Sequence, residues 1–128
     1  MIVFCDTSAL MKLYAQEQHS AWTRQQVDNS LRCIVNQITW VEMCAALALK
    51  QRTQQIEALD TLAALERLRA EWPIYSKLVL DNHLVNLAGQ LASALRTFQQ
   101  FATSMKLCCF DKQLNMAASS LGVALIQP

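Results

Sequence analysis

The stretch Ile2-Val3-Phe4-Cys5-Asp6-Thr7-Ser8-Ala9-Leu10-Met11-Lys12-Leu13-Tyr14 decides the fold. Ile2 to Cys5 is apolar without alternation, the pattern of a strand covered on both faces. An acid stops the run after only four apolar residues, and no basic region precedes it, so it does not read as a signal peptide. From Ala9 onward the residues read as helix, with Thr7 or Ser8 placed to cap it by accepting a backbone N–H. A strand passing into a helix through Asp-Thr-Ser is one β-α unit, and it sets what to look for downstream.

The rest of the chain repeats that alternation. Ser20 to Asp28 reads as a short helix, and Arg32-Cys33-Ile34-Val35 as a second strand. Asn36 or Thr39 is then placed to cap a helix running through Val41, Cys44 and Leu47 to about Leu49. Gln54 to Glu71 carries a stripe of Ile56, Leu59, Leu62, Ala63 and Leu65, closed by Trp72-Pro73. Asp81 to Leu95 is amphipathic, with Leu84, Leu87, Ala88, Leu91 and Leu95 on one face. Leu107-Cys108-Cys109-Phe110 reads as a third strand. Lys112 to Ser120 reads as a helix ended by Gly122, and Val123 to Ile126 as a last strand. Strands separated by helices imply a parallel sheet covered by helices. The expectation is one α/β domain over residues 1–128, layered α/β/α around a parallel sheet of about four to five strands.

Composition narrows the function. An apolar fraction of 53% with 16% charged residues excludes a disordered chain. No apolar run approaches the roughly 20 residues of a membrane span, so a cytoplasmic protein with no membrane partner is expected. Five cysteines without C-x-x-C spacing read as free thiols, mostly buried, in a reducing compartment. Zinc is disfavoured because His19 and His83 lie far from each other and from any cysteine pair. With only Gly89 and Gly122 present, there is no glycine-rich phosphate loop. A net charge of +1 gives no bulk attraction to nucleic acid, so an RNA partner would need local basic residues and a metal.

Ligands of an open parallel sheet bind beyond the carboxyl ends of its strands. Asp6 and Asp111 each follow a strand and precede a helix, and Glu42 sits in the helix after the second strand. Carboxylates without histidine or cysteine suit a hard divalent ion, Mg2+ or Mn2+. The same pattern fits plainer roles: Asp6 and Asp111 as helix caps, Glu42 as a surface acid.

Three motifs resemble those of PIN-domain proteins of the VapC toxin branch. These are Val3 to Tyr14; Ile38-Thr39-Trp40-Val41-Glu42-Met43-Cys44-Ala45-Ala46-Leu47; and Phe110-Asp111-Lys112-Gln113-Leu114 followed by Ala117-Ala118 and Leu121-Gly122-Val123. The resemblance spans the chain in order and spacing. It implies a PIN-like fold and a metal-dependent endoribonuclease, the toxin of a toxin-antitoxin pair. Asp6, Glu42 and Asp111 would then be the catalytic metal ligands for Mg2+ or Mn2+. Thr7 or Ser8 would orient Asp6 or a bound water. Arg96 and Lys112, with Lys12 and Lys106 nearby in the same reading, could contact RNA phosphates. The partners it implies are RNA, an antitoxin protein and a second copy of the chain. Cys109 stands where many relatives carry Ser or Thr, and as a poor Mg2+ ligand it receives no role.

One motif departs from the family. Its third usually holds an Asp at a helix start, preceded by Arg, a small residue and an aromatic. Here Leu95-Arg96-Thr97-Phe98-Gln99-Gln100-Phe101-Ala102-Thr103 keeps both flanks but lacks two residues between them, one of them the Asp. No acid lies between Asp81 and Asp111, so no shift of alignment restores it. Two missing residues amount to about 200° of helix rotation, so packing near the site must differ from relatives, with two helices fused or one shortened. Gln99 or Gln100 could offer only a neutral amide oxygen. Two readings follow: a nuclease weakened at this point, or a catalytically inactive PIN-like module that binds RNA or a protein partner.

Overall fold

The chain is described here from a computed structural model covering residues 1–86, 105–120 and 122–128. β1 (Ile2–Cys5) runs into α1 (Thr7–Tyr14) and α2 (Ser20–Asp28), and then β2 (Arg32–Asn36) leads through α3 (Thr39–Arg52) and α4 (Ala58–Glu71). A single 3-10 turn, Trp72–Ile74, delivers β3 (Ser76–Leu78). β4 (Met105–Cys108), α5 (Lys112–Ser120) and β5 (Ala124–Ile126) complete the described elements. The sheet order is β3-β2-β1-β4-β5 and every pair is parallel. β2 and β3 lie to one side of β1, β4 and β5 to the other. The order therefore reverses between β1 and β4, and a crevice opens at their carboxyl ends.

The alternation of side chains along the strands builds the layers. Val3, Cys5, Val35 and Cys108 face Leu10, Met43, Leu47 and Leu68 of α1, α3 and α4. On the other face Phe4, Leu107, Cys109 and Leu125 pack with Ala118 of α5 and Val123. Helices thus cover both faces of a five-stranded parallel sheet, the expected α/β/α arrangement. From Ala9 to Tyr14, α1 is buried on every side, Lys12 included, which explains why the other five residues are apolar or aromatic. Cys5 sits between Cys108 and Cys33, and hydrogen bonding to those thiols, with burial, raises its pKa. All five cysteines are free. His19 and His83 are both exposed.

Several boundaries differ from the sequence reading. The cap of α1 is Asp6, whose side chain accepts the Ala9 N–H, and not Thr7 or Ser8. Asn36 does take the entry role at α3, accepting the Ile38 N–H at 3.1 Å, while Thr39 is buried within the helix. α3 runs three residues beyond Leu49. α4 begins at Ala58 and not Gln54, because Gln54 adopts a left-handed backbone (φ 58°) that breaks the helix. Its buried line is Thr61, Ala64 and Leu68, and the expected Leu59 and Leu62 are 79% and 57% exposed. β3 was not anticipated. β4 ends at Cys108, so Cys109 and Phe110 form a short passage to Asp111. Gly122 does end α5, with φ 73° and the Val123 N–H returning to the Ala118 carbonyl at 2.9 Å.

The expected helix from Asp81 is described only over residues 82–86, capped by Asp81 on the Leu84 N–H at 2.7 Å. Its continuation through Leu87, Leu91 and Leu95, and the fusion toward Met105, lie outside the described residues. Among the described residues no helix is long and apolar enough to cross a membrane.

Leu47 is fully buried and Leu59 is not. Leu47→Ala is expected to lose about 2–5 kcal/mol in urea unfolding, while Leu59→Ala stays within about 0.5 kcal/mol of the parent.

Candidate functional site

The ends of β1 and β4 lie side by side, and three side chains tie them together. The Ser8 hydroxyl contacts Asp6 Oδ1 at 2.8 Å and Oδ2 at 3.0 Å, and accepts the Phe110 N–H at 2.9 Å. Asp6 Oδ1 also accepts the Ala9 N–H at 2.9 Å. The Cys109 thiol donates to Asp6 Oδ2 at 2.8 Å, and its sulfur accepts the Asp111 N–H at 3.3 Å. Burial, with the Asp6 hydrogen bond, pushes the Cys109 pKa up to about 12, so it remains a thiol at neutral pH. Asn115 of α5 anchors the Cys109 carbonyl through Nδ2 at 2.9 Å. Asp111 Oδ1 accepts the Leu114 N–H at 2.9 Å and so caps α5.

Glu42 approaches from the first turn of α3. Its exposed carboxylate accepts a hydrogen bond from the Thr7 hydroxyl, which joins α3 to the start of α1. A crevice of about 660 Å³ results, lined by Asp6, Thr7, Ser8, Glu42 and Asp111, with Lys12, Glu17 and Phe110 along its wall. The acids at the strand ends cap helices and line the crevice at once, so the two readings of Asp6 and Asp111 are not exclusive.

The basic residues fare differently. Lys12 is buried, with its ammonium 3.1 Å from Glu17 and 4.3 Å from the centre of the Phe110 ring. Glu17 also pairs with Lys50 at 2.5 Å. Lys12 is therefore committed to the protein and is not a free phosphate contact. Phe110 is flanked by His19, stacked at 5.9 Å, and by the edge of Trp22 at 6.4 Å. Lys112 and Lys106 are exposed, and Lys112 follows Asp111 directly without lining the crevice. Arg96 and the departing third motif with Gln99 and Gln100 lie outside the described residues.

The donors suit a hard divalent ion in kind, since they are carboxylates and hydroxyls on one crevice. Among the described residues, as the side chains lie, no three Asp, Glu, His or Cys groups stand together closely enough to hold one. Glu42 is turned to Thr7, and most of the Asp6 acceptor positions are taken by protein donors. The sequence reading noted Cys109 but gave it no role, and it passed over Asn115. The only available signal was the position of Cys109, two residues before Asp111.

The family model for the PIN domain matches residues 3–121. No curated protein matches the chain. Among solved structures, the crystal structure of FitAcB from Neisseria gonorrhoeae is similar. It is 17% identical, with a TM-score of 0.70, and the match covers 100% of this chain and 98% of that one. At that identity the likeness concerns the fold.

The Glu17 network carries a pH signature. Burial works against its charge, but hydrogen bonds and the charges of Lys50 and Lys12 outweigh burial and lower its pKa. A lowered carboxylate contributes stability above its unfolded pKa and loses it as pH falls through the folded one. The melting-temperature gap between the parent and Glu17→Gln should therefore hold level from neutral pH to the ordinary glutamate range. Below that range it should close.

Proposed function

The chain belongs to the PIN domain family, and on that premise we propose that it is a divalent-metal-dependent endoribonuclease of the VapC toxin type. The observation that supports this most is the meeting of Asp6, Glu42 and Asp111 on one crevice at the β1/β4 reversal point. PIN domains are generally divalent-metal-dependent nucleases. In this reading Asp6, Glu42 and Asp111 hold Mg2+ or Mn2+, with the Thr7 hydroxyl beside them. Such an ion, when bound, activates water and offsets the charge that develops on the phosphoryl group.

The remaining work falls to the chain. Ser8 and the Ala9 N–H hold Asp6 in one rotamer. Thr7 holds Glu42 at the mouth of the crevice, and Glu42 must turn inward to join the other two acids. Lys112 and Arg96 are the basic residues this reading assigns to RNA phosphates. By family analogy an antitoxin protein and a second copy of the chain are the protein partners, in the cytoplasm.

A second reading has its own support. The third-motif Asp is absent from the sequence, and among the described residues no three acids are gathered at ligating distance. A non-catalytic module that binds RNA or a protein partner would keep the fold and not the reaction.

Two measurements decide between them. With the nuclease reading, the parent cleaves RNA in millimolar Mn2+, and Asp6→Asn lowers the rate at least about 100-fold. No cleavage and no Mn2+ binding by the folded parent would leave the binding module. Restoring Asp-Ala after Phe98 should raise Mn2+ affinity and activity together, and a flat response would remove the account given of the third motif.

A further inference from the structure

A carboxylate offers about four lone-pair positions, and Asp6 has most of them filled. Oδ1 receives the Ala9 N–H at 2.9 Å and the shorter Ser8 contact at 2.8 Å. Oδ2 receives the Cys109 thiol at 2.8 Å and the longer Ser8 contact at 3.0 Å. A hydroxyl has a single proton, so Ser8 shares it between the two oxygens. The least occupied position is therefore on Oδ2, on the side that Cys109 leaves open. Cys109 and Ser8 thus decide which part of the Asp6 carboxylate is left for a ligand.

Cys109 cannot swing away. It is 2% exposed, and its carbonyl is pinned by Asn115, itself 9% exposed. Its sulfur accepts the Asp111 N–H at 3.3 Å and lies 3.9 Å from the Ser8 hydroxyl. One sulfur atom thus touches the carboxylate of the first acid and the backbone of the last.

We infer that Cys109 is a positioning residue of the cation site: its S–H holds Asp6 Oδ2 and its sulfur holds the Asp111 N–H, so one side chain sets the first and last acids relative to each other. This rests on the nuclease reading above. Sulfur is a poor partner for Mg2+ or Mn2+, so Cys109 acts through its proton and not as a ligand. A hydroxyl at this position would donate the same hydrogen bond. A side chain without a donor frees Oδ2, and Asp6 loses its fixed direction.

The test is an Mn2+ titration followed by electron paramagnetic resonance on the parent, Cys109→Ser, Cys109→Ala and Cys109→Val. Metal-free melting temperatures are recorded alongside. Valine fills the apolar volume and serves if the alanine variant does not fold. Removing a partner of this kind typically costs about 10-fold in metal affinity, so Ala and Val should bind about 10-fold more weakly. Cys109→Ser should stay within about threefold of the parent. Equal affinity in all four proteins, whatever their melting temperatures, overturns the inference and leaves the nuclease reading standing. Ser as weak as Ala and Val also overturns it, because a donor would then not be what matters. A folded parent that binds no Mn2+ overturns both.

Discussion

The fold and the site both depend on how the ends of two parallel strands, β1 and β4, are closed off. Their ladder runs out at Asp6, whose N–H reaches the Cys108 carbonyl only at 3.5 Å. Beyond that point backbone groups need new partners, since an unmet buried donor costs about 1–3 kcal/mol. Ser8 supplies one by accepting the Phe110 N–H, and the Cys109 sulfur supplies another by accepting the Asp111 N–H. Both side chains also hold Asp6. The groups that finish the sheet are therefore the groups that orient its first acid. A change at Ser8 or Cys109 acts on sheet and crevice together.

Four of the five strands were legible because each is a short, mostly apolar run between helical segments. β3 was not, being three residues long with a charged Lys77 at the sheet edge. The end of β4 was hidden for a different reason. Leu107 to Phe110 is continuously apolar, and the strand stops at Cys108 because Ser8, about a hundred residues away in sequence, claims the Phe110 N–H. No local pattern carries that information. In α4 the leucines are spread around the helix, so spacing alone offered several faces. Packing against α1 and α3 selected the line of Thr61, Ala64 and Leu68 over that of Leu59 and Leu62.

The acids were legible by position, since Asp6 and Asp111 stand where strands of a parallel sheet deliver ligand-facing groups. Capping a helix and lining the crevice are compatible for one carboxylate. A carboxylate has two oxygens, and both Asp6 and Asp111 use Oδ1 to receive the N–H three residues on. That fixes the rotamer through the helix that follows. Cys109 has no role in the sequence pattern because a thiol is a poor Mg2+ ligand, whereas in the fold it serves as a hydrogen-bond donor to Asp6. Lys12 was misread for the opposite reason. Its charge is visible in the sequence, but Glu17 and Phe110, which engage it, are joined to it only by the fold.

The charges around the crevice bear on how many ions it suits. Asp6, Glu42, Asp111 and Glu17 line it, and Glu17 draws in both Lys12 and Lys50. Four acids against two lysines leave two formal negative charges uncompensated at neutral pH. On the proposed reading a single divalent ion balances that excess, and a second would leave the crevice positive before any phosphate arrives. On the same reading the Lys12–Glu17–Lys50 network softens the repulsion between the crevice carboxylates, because a buried ammonium stands on the same wall as Phe110. Coulomb terms of this kind weigh more in a half-buried crevice than at an exposed surface. On the proposed reading the missing third-motif acid and the two lysines act in the same direction, favouring a single ion over two.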